Sequence, residues 1–326
     1  MLRFPSWPAD YPSASEFESS WSELASAGGG RESTAGVSRE GRPIKCFELG
    51  NPSGDVVLLS GLIHGIEVIG SMALRGVVRE LVTRSSDLLE STRFAVVPIV
   101  NPDAFARNME QLGRGRRAWL RCNAAGVDLN RNFPTPASRR PRHPFAGSRF
   151  RFAPHYAGAA PFCEPETQAV RDVVLRAPPA LALGFHSFGE LLLYPWGHTR
   201  APNPRRARYE ALGASFTRAL PRRGYGVRQA CDFYPTAGDL DDWLDSSFGT
   251  LAYTVEVGPL DAGLLEPARW TNPFYWHNPR AAQATVQNVV PGVLALLRAA
   301  IGGSTAIESE ESDALPRRGL ELAARR

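Results

Sequence analysis

The stretch Val56-Val57-Leu58-Leu59-Ser60-Gly61-Leu62-Ile63-His64-Gly65-Ile66-Glu67 constrains this chain more than any other. Its apolar run is short, β-branched and bounded by glycine, which reads as a buried strand. From Glu67 to about Leu81 the apolar residues Val68, Met72, Leu74, Val77, Val78 and Leu81 recur at helical spacing. His64 therefore falls at a strand's carboxyl end and Glu67 in the turn or first helical turn after it. Open α/β sheets carry their chemistry at that edge. An imidazole and a carboxylate one turn apart can converge on one Zn²⁺. Alone the pattern is weak: six histidines give it about a one-in-three chance of arising by accident.

Other segments supply the rest of a layered fold. A helix is expected over Ser15–Ala25, ending before Gly28-Gly29-Gly30, with strands near Ile44–Leu49, Val56–Ile63, Phe94–Val100, Leu181–Phe185 and Leu251–Val257. Glu164-Pro165-Glu166-Thr167 opens a helix to Leu175, with proline early and acids in the first turn. A closing amphipathic helix covers about 280–301, and residues 135–163 lack periodicity and read as a long loop. Strands alternating with helices imply one α/β domain, a mixed twisted sheet with helices on both faces. That domain would span residues 1–301, with an N-terminal helix within 1–30. From Gly302 to Arg326 the chain is polar and charge-blocked, the composition of a disordered tail.

The 326 residues are 43% hydrophobic and 21% charged, enough for a sizeable core. No 18-residue stretch is uninterruptedly apolar. The longest late run, Val286–Ile301, is broken by Asn288, Pro291 and Arg298, as in a core helix. Met1-Leu2-Arg3-Phe4-Pro5-Ser6-Trp7-Pro8 lacks the apolar centre of a secretory signal, so a cytoplasmic location is expected. Cys46, Cys122, Cys163 and Cys231 are too few for a disulfide scaffold, and none sits in a C-x-x-C pair. The net charge of +4 is carried almost wholly by arginine, Lys45 being the only lysine. Arginine clusters at 114–121 and 139–151 have no interleaved aromatic pattern or motif for nucleic acid.

A second strand-end histidine, His186, follows Leu183-Gly184-Phe185. With His64 and Glu67 it would give three protein ligands and leave one zinc position open, as in catalytic sites. His143, His155, His198 and His277 lie in loop or turn sequence and are poorer candidates.

His64-x-x-Glu67, Asn101-Pro102-Asp103, Val127-Asp128-Leu129-Asn130-Arg131-Asn132-Phe133, Phe185-His186-Ser187, Tyr194-Pro195-Trp196-Gly197, Asp242-Trp243 and Thr254-Val255-Glu256 occur in one order. Together, over about residues 38–260, they resemble the zinc carboxypeptidases of the carboxypeptidase A type. Tyr156-x-Gly158-x-x-Pro161-x-x-Glu164-Pro165-Glu166-Thr167 and the short His-Gly-x-Glu turn are closest to bacterial members that include murein peptide amidases. The resemblance implies one Zn²⁺ per chain on His64, Glu67 and His186, with Asp128 orienting the first histidine. It implies Glu256 as the general base, and Asn130 and Arg131 gripping a terminal carboxylate. Arg121 falls near the arginine that stabilises the oxyanion, with Arg114, Arg116 and Arg117 competing. Tyr234 matches a tyrosine that swings over the substrate, on a segment compatible with a lid. Asp241 occupies the position that sets side-chain preference, where an acid suits a cationic terminal residue such as Lys, Arg or diaminopimelate; capping of the following helix is the alternative.

Two positions depart from the pattern. Ile66 stands where pancreatic members carry an arginine, and Phe188 where tyrosine is frequent. The expected activity is zinc-dependent hydrolysis of a peptide's C-terminal amide bond. The alternatives are an amidase or deacylase acting on a non-α amide, such as a γ-glutamyl-diaminopimelate muropeptide or an N-acyl amino acid, and a peptide-binding protein without catalysis. A peptide or muropeptide is the expected partner, with no nucleic acid and no membrane, and the residues leave the oligomeric state open.

Overall fold

The computed structural model describes residues 11–136, 141–263 and 266–307. Its frame is an eight-stranded mixed sheet in the order β1-β2-β4-β3-β5-β8-β6-β7. The strands are β1 (Arg31–Val37), β2 (Pro43–Gly50), β3 (Asp55–Gly61), β4 (Thr92–Val97), β5 (Leu181–His186), β6 (Leu191–Tyr194), β7 (Gly226–Gln229) and β8 (Leu251–Glu256). β4, β3, β5 and β8 run parallel at the centre, and β2 and β6 flank them antiparallel.

In chain order the helices are α1 (Ala14–Ala27), α2 (Val68–Arg84), α3 (Ser86–Ser91), α4 (Pro102–Gly113), α5 (Pro165–Arg176) and α6 (Arg206–Arg218). There follow α7 (Ala230–Phe233), α8 (Leu240–Phe248), α9 (Pro267–Trp270), α10 (Phe274–His277) and α11 (Ala282–Ile307). α1 starts where the sequence chemistry dictates. The Ser13 hydroxyl accepts from Glu16 N, and the Glu16 carboxylate accepts from Ser13 N.

The central strands are buried on both faces, and their period-two alternation sorts side chains into two cores. Leu59, Leu183 and Val255 join Leu74 of α2, Phe216 of α6 and Val293 of α11 on one face. Leu58, Ala182 and Ala252 join Val170 of α5 and Leu244 of α8 on the other. Segment Phe274–Gly302 is long and apolar enough, by length and composition alone, to cross a bilayer. In the fold Val289, Val293, Leu296 and Leu297 are buried against α2 and α6, the arrangement of a core helix.

The segments expected from periodicity are present, with shifted ends. β4 stops at Val97, because Val100 N leaves the ladder to donate to Gly61 O. α11 runs to Ile307, so residues 302–307 are helical where a tail is expected; 308–326 lie outside the described residues. β1, β6, β7, α4 and α6 are among the elements without a counterpart in the sequence expectations. β1 is a largely exposed edge strand without apolar alternation, and β6 and β7 are four residues each. The loop expected over 135–163 holds one isolated bridge, Ser148 to Tyr156, among its described residues.

Candidate metal and catalytic site

The parallel strands deliver their last residues to one edge. The chain leaves β3 through Leu62, at φ 48°, and His64 and Glu67 occupy the turn into α2. His186 ends β5 and Glu256 ends β8, and the two are register partners. α2 can start this close to β5 because Gly70 has no side chain. A Cβ there would lie 2.9 Å from the carbonyl oxygens of both Phe185 and His186.

His64 Nδ1 lies 3.0 Å from Glu67 Oε1, and His186 Nδ1 lies 3.0 Å from Glu67 Oε2 and 3.2 Å from His64 Nδ1. Two ligand atoms of a tetrahedral ion with bonds of about 2.0 Å are about 3.3 Å apart, so the three groups fit one zinc. All three side chains are buried, and among the described residues they form the group able to hold a metal. His64 Nε2 faces Asp128 Oδ1 at 3.1 Å. A proton on Nε2 satisfies that carboxylate and leaves Nδ1 bare toward the cluster. Burial pushes the His186 imidazole down, against the pull of Glu67, which favours the neutral form that binds metal. Burial acts to raise the Glu67 carboxyl, but His64 and His186 overcome it and hold it well below its usual range. Glu256 moves the other way: burial, then the negative charge of Glu67, raise its carboxyl well above the ordinary value.

Of the four competing arginines, Arg121 reaches this cluster. Its Nη1 donates to Glu67 Oε1 at 2.9 Å and its Nε to Asp128 Oδ2 at 3.2 Å. Arg114, Arg116 and Arg117 are exposed, Arg114 pairing with Glu110. Asn130 and Arg131 lie on a single 3₁₀ turn, Leu129–Arg131. The Asn130 side-chain carbonyl accepts from Leu240 N at the start of α8. Arg131 is 1% exposed, yet only two of its three guanidinium nitrogens are bonded. Nε donates to Phe145 O and Nη1 to Asn130 O, while Nη2 has no partner among the described residues. That leaves a buried cationic donor with capacity for an anionic group. Gly238, at φ 85°, closes over this turn, where a Cβ would fall 2.4 Å from Arg131 O.

Tyr234 follows α7, its ring 5.5 Å from Phe145 and stacked 6.1 Å from His143. Asp241 is not the cap of α8. Asp239 caps, accepting from Asp242 N, and Asp242 accepts from Gly197 N and His198 N. Asp241 turns instead to β8, accepting from Thr254 Oγ1, and has no ion pair among the described residues. Burial, with the neighbouring acids Asp239, Asp242 and Asp245, pushes its carboxyl up to about 8 against the Thr254 bond. Of the two departures, Ile66 is buried in the core, and Phe188 packs edge-on to His277 at 5.2 Å.

Two histidines set aside as loop residues belong here. His155 Nδ1 lies 2.9 Å from Asp128 Oδ2. His277 Nδ1 donates to Ser187 O at 3.1 Å and sits 3.8 Å from Glu67 Oε1. No periodicity or spacing marks either in the sequence. A separate cavity of about 360 Å³ lies under α1 beside Trp21, Phe47, Pro98 and Ile99, and holds none of the groups above.

A model of the zinc carboxypeptidase family matches residues 29–278. Carboxypeptidase B of Astacus astacus is 31% identical over 240 residues, covering 68% of this chain and 77% of that one. A zinc carboxypeptidase of Simulium vittatum is 28% identical, covering 78% of this chain and 86% of that one. Among solved structures, carboxypeptidase A of Helicoverpa armigera superposes with a TM-score of 0.75 at 23% identity, over 93% of this chain and 75% of that one.

Proposed function

The chain belongs to the zinc carboxypeptidase family, and from that premise we propose that it removes a C-terminal residue with a cationic side chain from peptides. The family binds one zinc, and His64, Glu67 and His186 are the residues that would hold it. When bound there, zinc supplies Lewis acidity to the scissile carbonyl and acidity to a coordinated water. Everything else falls to the protein.

The observation that carries the reading is Arg131. A buried guanidinium with one nitrogen unpaired among the described residues suits a substrate's free terminal carboxylate, and it makes the enzyme act from the chain end. Asn130, fixed by Leu240 N, offers its amide to the same carboxylate. Arg121 shares its guanidinium between Glu67 and Asp128 and keeps a nitrogen to stabilise negative charge developing on the scissile oxygen. Glu256 accepts a proton from the attacking water and returns it to the departing amine. A carboxyl raised above its ordinary value by burial and by the charge of Glu67 suits both transfers. Tyr234, between the aromatic loop residues and the two arginines, covers the bound residue. Asp241, without an ion pair among the described residues, is the group that a lysine ammonium or arginine guanidinium would neutralise.

The test is release of the last residue from peptides ending in Lys, Arg or Leu and from the same peptides amidated, with and without a chelator. The expected order is Lys or Arg above Leu, with amides and chelated enzyme inactive. Diaminopimelate also carries an ammonium and a carboxylate, so a murein tripeptide with its γ-glutamyl bond belongs in the panel. Turnover of that peptide alone would replace the α-peptidase reading by the amidase one.

A further inference from the structure

Asp128 has two partners on each of its oxygens. Its Oδ1 accepts from Asn130 N and faces His64 Nε2, and its Oδ2 accepts from Arg121 Nε and faces His155 Nδ1 at 2.9 Å. It is fully buried, so each oxygen depends on protein donors. Arg121 is a divided donor, since its Nη1 is committed to Glu67. His155 donates to Asp128 without a second claim from another described acid. Its place is also built in. Ser148 N donates to His155 O at 2.7 Å, Asp128 N to Tyr156 O at 2.8 Å, and the Phe145 ring packs edge-on at 5.1 Å.

We propose that His155 is a positioning residue for the metal site. By holding Oδ2 of Asp128, it keeps Oδ1 aimed at His64 Nε2 and so keeps His64 Nδ1 bare for the metal. It also spares Arg121 from being drawn wholly onto Asp128. The inference rests on the zinc peptidase reading and adds to it a dependence of metal affinity on the loop around 141–156. That loop also supplies Phe145 O to Arg131 and Phe145 to Tyr234.

The experiment compares the parent chain with His155→Phe, which keeps a ring against Phe145 but loses the donor, and with His155→Asn, whose amide nitrogen can replace Nδ1. Four quantities are measured: the zinc dissociation constant by chelator competition, kcat and KM on a Lys-terminated peptide, and the melting temperature of the zinc-free chain. Loss of a group that orients a metal ligand typically weakens metal binding by about 10–100-fold. His155→Phe is expected at about the lower end, with kcat falling and KM nearly unchanged because Arg131 is untouched, and His155→Asn within about threefold of the parent. Equal zinc affinity in the parent and a folded His155→Phe overturns the proposal. So does a loss in His155→Asn as large as in His155→Phe. If His155→Phe does not fold, His155→Asn decides: parental zinc affinity supports the donor role and a tenfold loss overturns it. A parent chain that binds no zinc sinks the peptidase reading itself, a result distinct from any difference between variants.

Discussion

The Asp241 carboxyl sits at about 8, so its charge can be switched within the range where the protein is assayed. A free acid at about 8 is about 1% ionised at pH 6 and about 90% ionised at pH 9. A lysine side chain stays protonated throughout, its usual pKa being about 10.4. Only the ionised form of Asp241 pairs with it, so kcat/KM for a Lys-terminated peptide should rise with pH relative to a Leu-terminated one. The gain is bounded by what a charged hydrogen bond contributes, about 1.5–3 kcal/mol, or roughly 10–150-fold. Taking the ratio of the two substrates removes the titrations of Glu256 and the zinc ligands, which act on both alike. The ratio should climb at least about tenfold between pH 6 and pH 9. In Asp241→Asn it should be low and flat. The sign for stability is the opposite. A carboxyl raised from 3.8 to about 8 on folding favours the fold at low pH and loses that contribution as pH rises through about 8. Asp241→Asn should therefore melt higher than the parent at pH 9 relative to pH 5. A ratio that does not move with pH in the parent, or an Asn variant with the parent's preference, would refute the assignment of Asp241 to the side-chain pocket.

Three further outcomes are expected. Glu256→Gln should lower kcat by about 10²–10⁴-fold while binding zinc one to one, read by metal analysis beside a peptide assay. His186→Ala should lose both zinc stoichiometry and activity, whereas chelator-treated parent should recover activity on adding Zn²⁺. Arg131→Lys loses the bonds to Phe145 O and Asn130 O along with the fork, so KM for free-acid peptides should rise about 10–100-fold and the preference over amides should shrink. An Arg131→Lys enzyme that still discriminates acid from amide as the parent does would move the carboxylate grip elsewhere.

What could be read from sequence follows from how each part is encoded. β3, β5 and β8 are buried on both faces, so their apolar runs stand out, and a ligand at the end of such a run has a fixed address. That is why His64, His186 and Glu256 are legible, and why the structure brings them to one edge. β1 pairs with β2 alone among the described strands and is mostly exposed, so nothing forces apolar alternation on it. The role of Asp241 could not be decided from sequence, because an acid one residue into a helix looks like a cap. The hydrogen bonds decide the geometry, with Asp239 capping and Asp241 bonded to Thr254 on the neighbouring strand.

His155 marks the limit of that reading. Its neighbours have no period, and the backbone bonds that place it join Ser148 to His155 and Tyr156 to Asp128, pairings that no local pattern announces. Yet its partner is legible, and elementary accounting points back to the loop. A carboxylate as buried as Asp128 needs donors on both oxygens, and burial alone would push it toward the protonated form. Asn130 N and His64 serve Oδ1, but Oδ2 would otherwise rest on Arg121 alone, whose guanidinium is also bonded to Glu67. The second donor to Oδ2 comes from the long loop, through His155. A metal centre that looks self-contained at its three ligands is thus tied to a stretch of chain whose sequence has no periodicity, and changes at His155 itself should register first in zinc affinity rather than in the grip on substrate.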